Sequence, residues 1–511
     1  MAQLSLRLTT VAISCFFSSI ITAQVKLPAI ISDNMVAQQN SKIALWGWAQ
    51  PSEKVSIQPS WASKAVTVTT GADGKWLTYV QTTKAGGPFT ITFKASNTIT
   101  VNNVLLGEVW LASGQSNMEF PLAKDSTSSW RTGVINYPEV VAAANYPSIR
   151  TIDVANKVAD EPQKDFSGQW KECTPQTAGA FSAVAYYYAK EIYQATGYPV
   201  GIINSTWGGT PAESWTKREV LESDADLKVI LDRYDKDVQD YPAESEKYKA
   251  ALSKWKADTS KNKGAAPKEP MGPGNNKSPY KLYNGMIAPV VPYTVKGVIW
   301  YQGESNADRA YQYRKLFPAM IASWRKDWNN NKLPFYFIQI SPHRSQNAEI
   351  REAQLYTYRT VPYTGITITT DNGDSLDIHP RNKEIVGKRL SLWALHNEYG
   401  QKDIDYSSPL YKSMKVDGNT IRIQFDFADG LVAKNGSLQQ FVIAGSDGRF
   451  VPAQAKVDGS EVVVWSSAVM QPVAVRYNWK NMPVGDLYNR AGLPASPFRT
   501  DNWTISTQGK N

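Results

Sequence analysis

The chain has 511 residues, of which 42% are hydrophobic and 20% charged, so it holds ample apolar material for a core and suggests about three domains. Its formal charge of +9 is not gathered into any dense Lys/Arg run, which argues against nucleic acid as a partner. The 17 Trp and 26 Tyr can pack a core or stack on sugar rings.

The N-terminus reads as a signal peptide over residues 1–23. Arg7 precedes an apolar stretch at 11–21, and Ile21-Thr22-Ala23 offers a small-residue cleavage site before Gln24. Cys15 is followed by Phe16 and Phe17, so it belongs to the apolar stretch and not to a lipid-anchor signal. That stretch is short for a bilayer span and no other is longer, so the mature chain is expected in the periplasm or secreted, with no membrane insertion. Cleavage removes Arg7 and no acid, taking the charge from +9 to +8, a balance that suits an acidic ligand. It leaves Cys173 as the one cysteine, so no internal disulfide can form.

Residues 24–105 read as β-rich, with strands near 43–48, 55–57, 65–69 and 89–93. Turns at Gly71-Ala72-Asp73-Gly74 and Gly86-Gly87-Pro88 separate them. This is a small sandwich that either binds sugar or buttresses the neighbouring domain. From Gly107 strands alternate with helices, which implies a parallel sheet over about 106–400. Val109-Trp110-Leu111-Ala112 is a buried strand, and Gly114 turns the chain into Ser116. A helix at 181–196 closes on Gly197, and the strand at 200–204 feeds a loop containing Gly208-Gly209. A charged helical insertion occupies about 216–280, with an exposed Gly/Pro/Asn loop at 264–277. Further strands at 297–300, 335–340 and 365–370 alternate with helices at 350–358 and 383–396. The last strand delivers a loop through Asp371, Asp374, Asp377 and His379 to Pro380. Residues 401–511 are β-rich again, with alternation at 420–425, 462–465 and 473–477.

In an open parallel sheet the loops at the strands' carboxyl ends line the active crevice. Ser116, Gly208-Gly209 and Gln302-Gly303-Glu304 each come directly after such an end. A serine hydroxyl needs an imidazole base and a third group to fix the imidazole tautomer. Of the three histidines, His396 lies inside a helical pattern, His343 comes after the 335–340 strand, and His379 after the last strand. His379 is therefore the candidate base and His343 a substrate contact. An imidazole base predicts a rate that rises with pH near ~6–7. Asp377, Asp374 and Glu304 compete to orient it, with Asp377 nearest in sequence. The backbone N–H groups of Ser116 and Gly209 form a reasonable oxyanion pair. Asp371, Asp374 and Asp377 could alternatively hold a cation, but their spacing is not that of a calcium loop and no zinc-ligand cluster is present in the sequence. Neither metal nor cofactor is called for.

Gly114-Gln115-Ser116-Asn117-Met118, Gly208-Gly209-Thr210, Trp300-Tyr301-Gln302-Gly303-Glu304-Ser305-Asn306 and Asp377-Ile378-His379-Pro380 resemble, in that order, the sialate O-acetylesterase family of Ser-Gly-Asn-His hydrolases. The resemblance runs from about residue 107 to 396, and more weakly through Leu487-Tyr488-Asn489 and the tail. It implies a flavodoxin-like, three-layer α/β hydrolase core with a parallel sheet, flanked by β-sandwich-like N- and C-terminal regions. It also implies a serine esterase that removes O-acetyl groups from sialic acid or a related acetylated carbohydrate. By resemblance Gln302 takes the part of the family's asparagine as a third oxyanion donor, and Gln115, Asn117, Gly208, Glu304 and Asn306 contact substrate. The superfamily often places its aspartate three residues before the histidine, where this chain has Leu376. An acetyl xylan or plant-glycan esterase, and a carbohydrate-binding protein with an inactive hydrolase domain, are the alternatives.

Overall fold

The computed structural model describes residues 24–260 and 264–510; the leader read at 1–23 lies outside them. Seven strands build the central sheet: β1 (Thr98–Gly114), β2 (Tyr146–Asp153), β3 (Trp170–Cys173), β4 (Val200–Thr206), β5 (Gly297–Tyr301), β6 (Phe335–Ile338) and β7 (Thr364–Thr367). They lie in the order β7-β6-β5-β1-β4-β2-β3, and all neighbours are parallel except β2 and β3. Without the β2–β3 edge, the run β4-β1-β5-β6-β7 is the flavodoxin strand order, whose direction of winding reverses at β1. The crevice belongs at that reversal.

Helices cover both faces. On one side lie α1 (Ala183–Thr196) and, packed on it, α5 (Lys383–Asn397). On the other lie α3 (Ala310–Asp327) and α4 (Ala348–Thr360); the helix of the insertion, α2, runs over Ala225–Ala257. Alternate residues of the strands divide between the two layers. Trp110 of β1 and Tyr336 of β6 meet Tyr188 of α1 and Trp393 of α5, whereas Trp300 and Phe335 meet Phe317 and Trp324 of α3. Within α2 the buried residues are Leu227, Ile230, Leu231 and Tyr234, all in its first three turns; its later turns are largely exposed.

The burial pattern of β1 records a change of environment along one strand. Residues 98–103 mostly alternate with solvent, as in a sheet with one wet face, and residues 104–114 are buried without a break, as in a sheet covered on both faces. The first part pairs antiparallel with Gly86–Lys94; the second pairs parallel with β4 and β5. Position 106, where the sequence pattern changes, therefore falls inside a continuous strand. Gly86–Lys94, Lys54–Pro59 and Val66–Thr69 continue the antiparallel side, and Val36–Gln38 runs beside Leu105–Gly107. Lys42–Trp48 and Lys75–Gln81 form a separate two-stranded layer over them. Glu108, buried in the middle of β1, is satisfied by the amides of Gln38 and Gln39 and the hydroxyl of Tyr399.

Residues from Leu410 onward form two four-stranded antiparallel sheets and a two-stranded one around a core of their own, including Ile421, Ile423, Phe441, Val464, Val475 and Phe498. This unit docks on α4. Fully buried Arg351 donates to the carbonyls of Lys480 and Asn481 at 3.1 and 3.0 Å, Arg499 pairs with Glu352 at 2.7 Å, and Glu349 accepts from Ser506 and Thr507.

Candidate active site

Gly114 ends β1 at φ 132°, and a Cβ there would lie 2.2 Å from the carbonyl oxygen of Tyr301. Glycine thus lets β1 and β5 close on each other at the point where the chain leaves the sheet. Gln115 N–H donates to that same carbonyl at 3.0 Å, and Ser116–Glu119 makes one helical turn. This puts Ser116 at the first position of the turn, where backbone N–H groups have no helical partner.

The loop after β7 brings its histidine to this point. Asp374 accepts from the N–H groups of Leu376 (2.8 Å) and Asp377 (3.2 Å), which folds the chain back on itself. Asp377 then accepts from the backbone N–H of His379 at 2.8 Å, with the same oxygen 3.3 Å from His379 Nδ1. His379 Nε2 lies 2.9 Å from Ser116 Oγ. The imidazole faces Trp130 at a centroid distance of 4.8 Å. Burial, and then the charge of Lys383, pushes the His379 imidazole down to about 4 against the pull of Asp377. The three acids of this loop have separate partners, since Asp371 is held by both guanidinium nitrogens of Arg389 at 2.7 and 2.8 Å. Among the described residues no cluster of three or more His, Cys, Asp or Glu is arranged to hold a metal.

The loop after β4 closes the other side. Gly208 donates its N–H to Glu119 at 2.6 Å, and Glu119 in turn pairs with Arg131. Burial raises the Glu119 carboxyl despite the arginine. Gly209 comes next at φ 73°. Among the described residues, the N–H groups of Ser116 and Gly209 have no protein acceptor, and both residues line a cleft of about 550 Å³ with His379, Trp130, Arg131 and Glu304.

Several expected contacts are elsewhere. Gln302 is not an oxyanion donor: it is fully buried, and its amide hydrogens go to the carbonyl of Thr210 (3.2 Å) and to Asn306 (2.7 Å). Asn306 does not reach substrate either, because it is 1% exposed and bonded to Ala212 N–H and Glu213. Asn117 is equally buried and joins Glu304 (2.6 Å), the carbonyl of Ile378 (3.1 Å) and Lys383. His343 turns its Nδ1 to Ser345 at 2.7 Å and stands outside the cleft wall. Gln115, Gly208 and Glu304 do line the cleft, and Glu304 keeps one oxygen without a protein partner among the described residues. Half-buried His396 stacks on Tyr406 at 3.8 Å, away from the cleft.

Sequence reasoning missed four residues here. Glu119 stands three positions after Ser116, on the same helical turn, and Lys383 four after His379, so both were within reach of a spacing argument. Trp130 and Arg131 come from an irregular loop that gives no periodic signal.

A flavodoxin-ordered sheet with a serine, an imidazole and a carboxylate converging at its carboxyl ends defines a hydrolase of the Ser-Gly-Asn-His type. Residues 271–394 match the family described as carbohydrate esterase, sialic acid-specific acetylesterase. The chain is 28% identical to the sialate O-acetylesterase of Rattus norvegicus, over 93% of this chain and 94% of the relative, and 27% identical to that of Homo sapiens, over 93% and 92%. A crystal structure of a carbohydrate acetylesterase from Xanthomonas citri is 37% identical and superimposes with a TM-score of 0.79, covering 94% of this chain and 100% of that one. The chain belongs to this sialate O-acetylesterase family of carbohydrate esterases. It is a carboxylic ester hydrolase that removes O-acetyl groups from sugars.

Proposed function

We propose that Ser116 is the nucleophile, His379 the general base and Asp377 the residue that orients it, acting on the acetyl esters of sialic acid. One observation carries the site assignment: Ser116 Oγ is 2.9 Å from His379 Nε2, while Asp377 stands 3.3 Å from the other ring nitrogen. Ser116 Oγ adds to the acetyl carbonyl carbon as its proton passes to His379 Nε2. The oxyanion settles against the N–H groups of Ser116 and Gly209. His379 returns the proton to the departing sugar oxygen, leaving acetyl-Ser116. Water, deprotonated by the same imidazole, adds to the acetyl carbon, and collapse of the second intermediate frees acetate and restores the serine.

The description of the matched family and the names of the mammalian relatives support sialic acid as the sugar. The chain's formal charge of +9 suits that acidic sugar. The leader read at 1–23 supports work in the periplasm or outside the cell, with a mature N-terminus at Gln24. Acetate release from O-acetylated sialic acid, acetyl xylan and other acetylated glycans tests the substrate. Preference for the sialic acid ester is the expected result, and preference for acetyl xylan overturns it. Ser116→Ala keeps the fold and loses activity by at least about 10³-fold, and an organophosphate labels the wild type at Ser116. Label elsewhere, or full activity in the variant, defeats the nucleophile assignment.

A further inference from the structure

Directly behind the serine and histidine lies a buried polar relay that plays no part in the acyl-transfer steps. Lys383, at the first position of α5, is 1% exposed and has no carboxylate within ion-pair distance among the described residues. Its ammonium donates to Asn117 Oδ1 and otherwise faces the rings of Phe120 (4.9 Å) and Tyr301 (5.6 Å). Lysine has only donors, so this contact fixes which end of the Asn117 amide faces it. The Asn117 NH₂ group must then point the other way, toward the carbonyl of Ile378 at 3.1 Å and Glu304 at 2.6 Å. The Ile378 carbonyl belongs to the peptide that joins Ile378 to His379. Asn117 is the residue after Ser116. One side-chain amide therefore ties the turn of the nucleophile to the peptide of the base.

We propose that Lys383 and Asn117 are positioning residues, a buried relay that locks the Ile378–His379 peptide against the Ser116 turn and so sets the Ser116–His379 distance. The proposal rests on the assignment of Ser116 as nucleophile and His379 as base. An unpaired buried ammonium is costly to fold, and a leucine or methionine at position 383 would fill the space more cheaply. Its retention is accounted for by the donor it supplies, since without it the amide of Asn117 has no reason to hold one orientation.

The relay also acts on the base electrostatically. The charged and titratable groups acting on His379 are Lys383, Asp377 and His343, and those around Lys383 are Glu304, Asp377 and the phenol of Tyr301. Burial brings the Lys383 ammonium down to about 7, with Glu304 and Asp377 resisting. It is therefore charged at the acidic pH where His379 titrates, and it helps hold that imidazole deprotonated.

The test uses the full mature chain, first shown to label at Ser116, so that failure of the nucleophile assignment is seen separately. Lys383→Met should lower kcat by about 10–100-fold at nearly unchanged KM, the scale of a small misplacement of reacting groups. It should also move the acid limb of the kcat profile to higher pH, which a purely structural lysine would not do. Asn117→Leu, which keeps the shape and removes the amide, should lower kcat by a similar factor. The double variant should be no slower than Asn117→Leu alone, because the two residues act through one contact. A Lys383→Met enzyme with kcat within twofold of wild type, an unmoved acid limb, or losses that multiply in the double variant overturns the proposal. If the Lys383 variant does not fold, Asn117→Leu decides alone: a kcat loss at constant KM supports the relay, and an unchanged kcat overturns it.

Discussion

Asp377 uses one carboxylate oxygen on two hydrogens of the same residue, the backbone N–H and the Nδ1 side of His379. Its rivals are engaged otherwise, Asp374 with the N–H groups of 376 and 377 and Glu304 with Asn117. Asp377→Asn should therefore lower kcat by up to about 10⁴, the cost of the wrong tautomer in a serine protease. Asp374→Asn, which keeps an acceptor for the turn, should cost far less. Equal losses in both, measured at saturating substrate with melts to confirm folding, would contradict this division of roles. The same residue sets the pH profile. Catalysis needs the neutral imidazole, and His379 is held down to about 4, so kcat should climb as pH rises through about 4 and be flat by 6. The ordinary histidine range of ~6–7 expected from sequence does not allow for the burial under Trp130 or for the cation behind the ring. A limb centred near 6.5 would show that the imidazole is better solvated in solution.

At the scale of elements, the site is four turns hung on strand ends, and the turns differ in how much they can give. At Gly114 an added Cβ meets backbone, and at Gly209 it meets nothing within 4 Å but requires a left-handed φ of 73°. Gly114→Ala should abolish soluble expression, since β1 and β5 would have to separate. Gly209→Ala should fold with a penalty of about 1–2 kcal/mol and lose activity as its N–H swings away. A soluble, fully active Gly114→Ala enzyme would show that the strand ends are not closed there. This contrast also explains what could be read from the sequence. The strands near 200, 297 and 335 and the helices near 183, 348 and 383 were legible because apolar periodicity and caps such as Gly197 report local geometry. That Ser116, Gly209 and His379 sit just past strand ends was legible for the same reason. Where Gln302, Asn306 and Asn117 point was not, because a polar side chain beside a motif looks the same in sequence whether it faces the cleft or the interior. Arg131 and Trp130 arrive from a loop whose path is set by contacts with α5's approach and Glu119, none of which leaves a local pattern.

In the whole molecule, β1 is held in common by the antiparallel sheet of the N-terminal region and the parallel sheet that carries the site. Residues 25 to 410 accordingly share one apolar core, and the C-terminal unit has another. A chain begun at residue 106, where the sequence pattern changes, would cut through β1 and strip its edge partners. It should be insoluble or molten, while a chain begun at Gln24 should melt cooperatively and retain full activity. Native-like melting and activity of the 106–511 fragment would show that the two sheets are separable.

The shared strand also fixes the order in which the molecule can be made. As synthesis proceeds, the antiparallel partner at 86–94, itself paired with 54–59, is already present when β1 emerges, so its first half can pair at once. Its apolar second half must wait for β4 at 200–206 and β5 at 297–301. For about ninety residues of translation, until β4 appears, the segment that leads into the nucleophile waits without that partner, and its other edge stays open for about ninety more, until β5 is made.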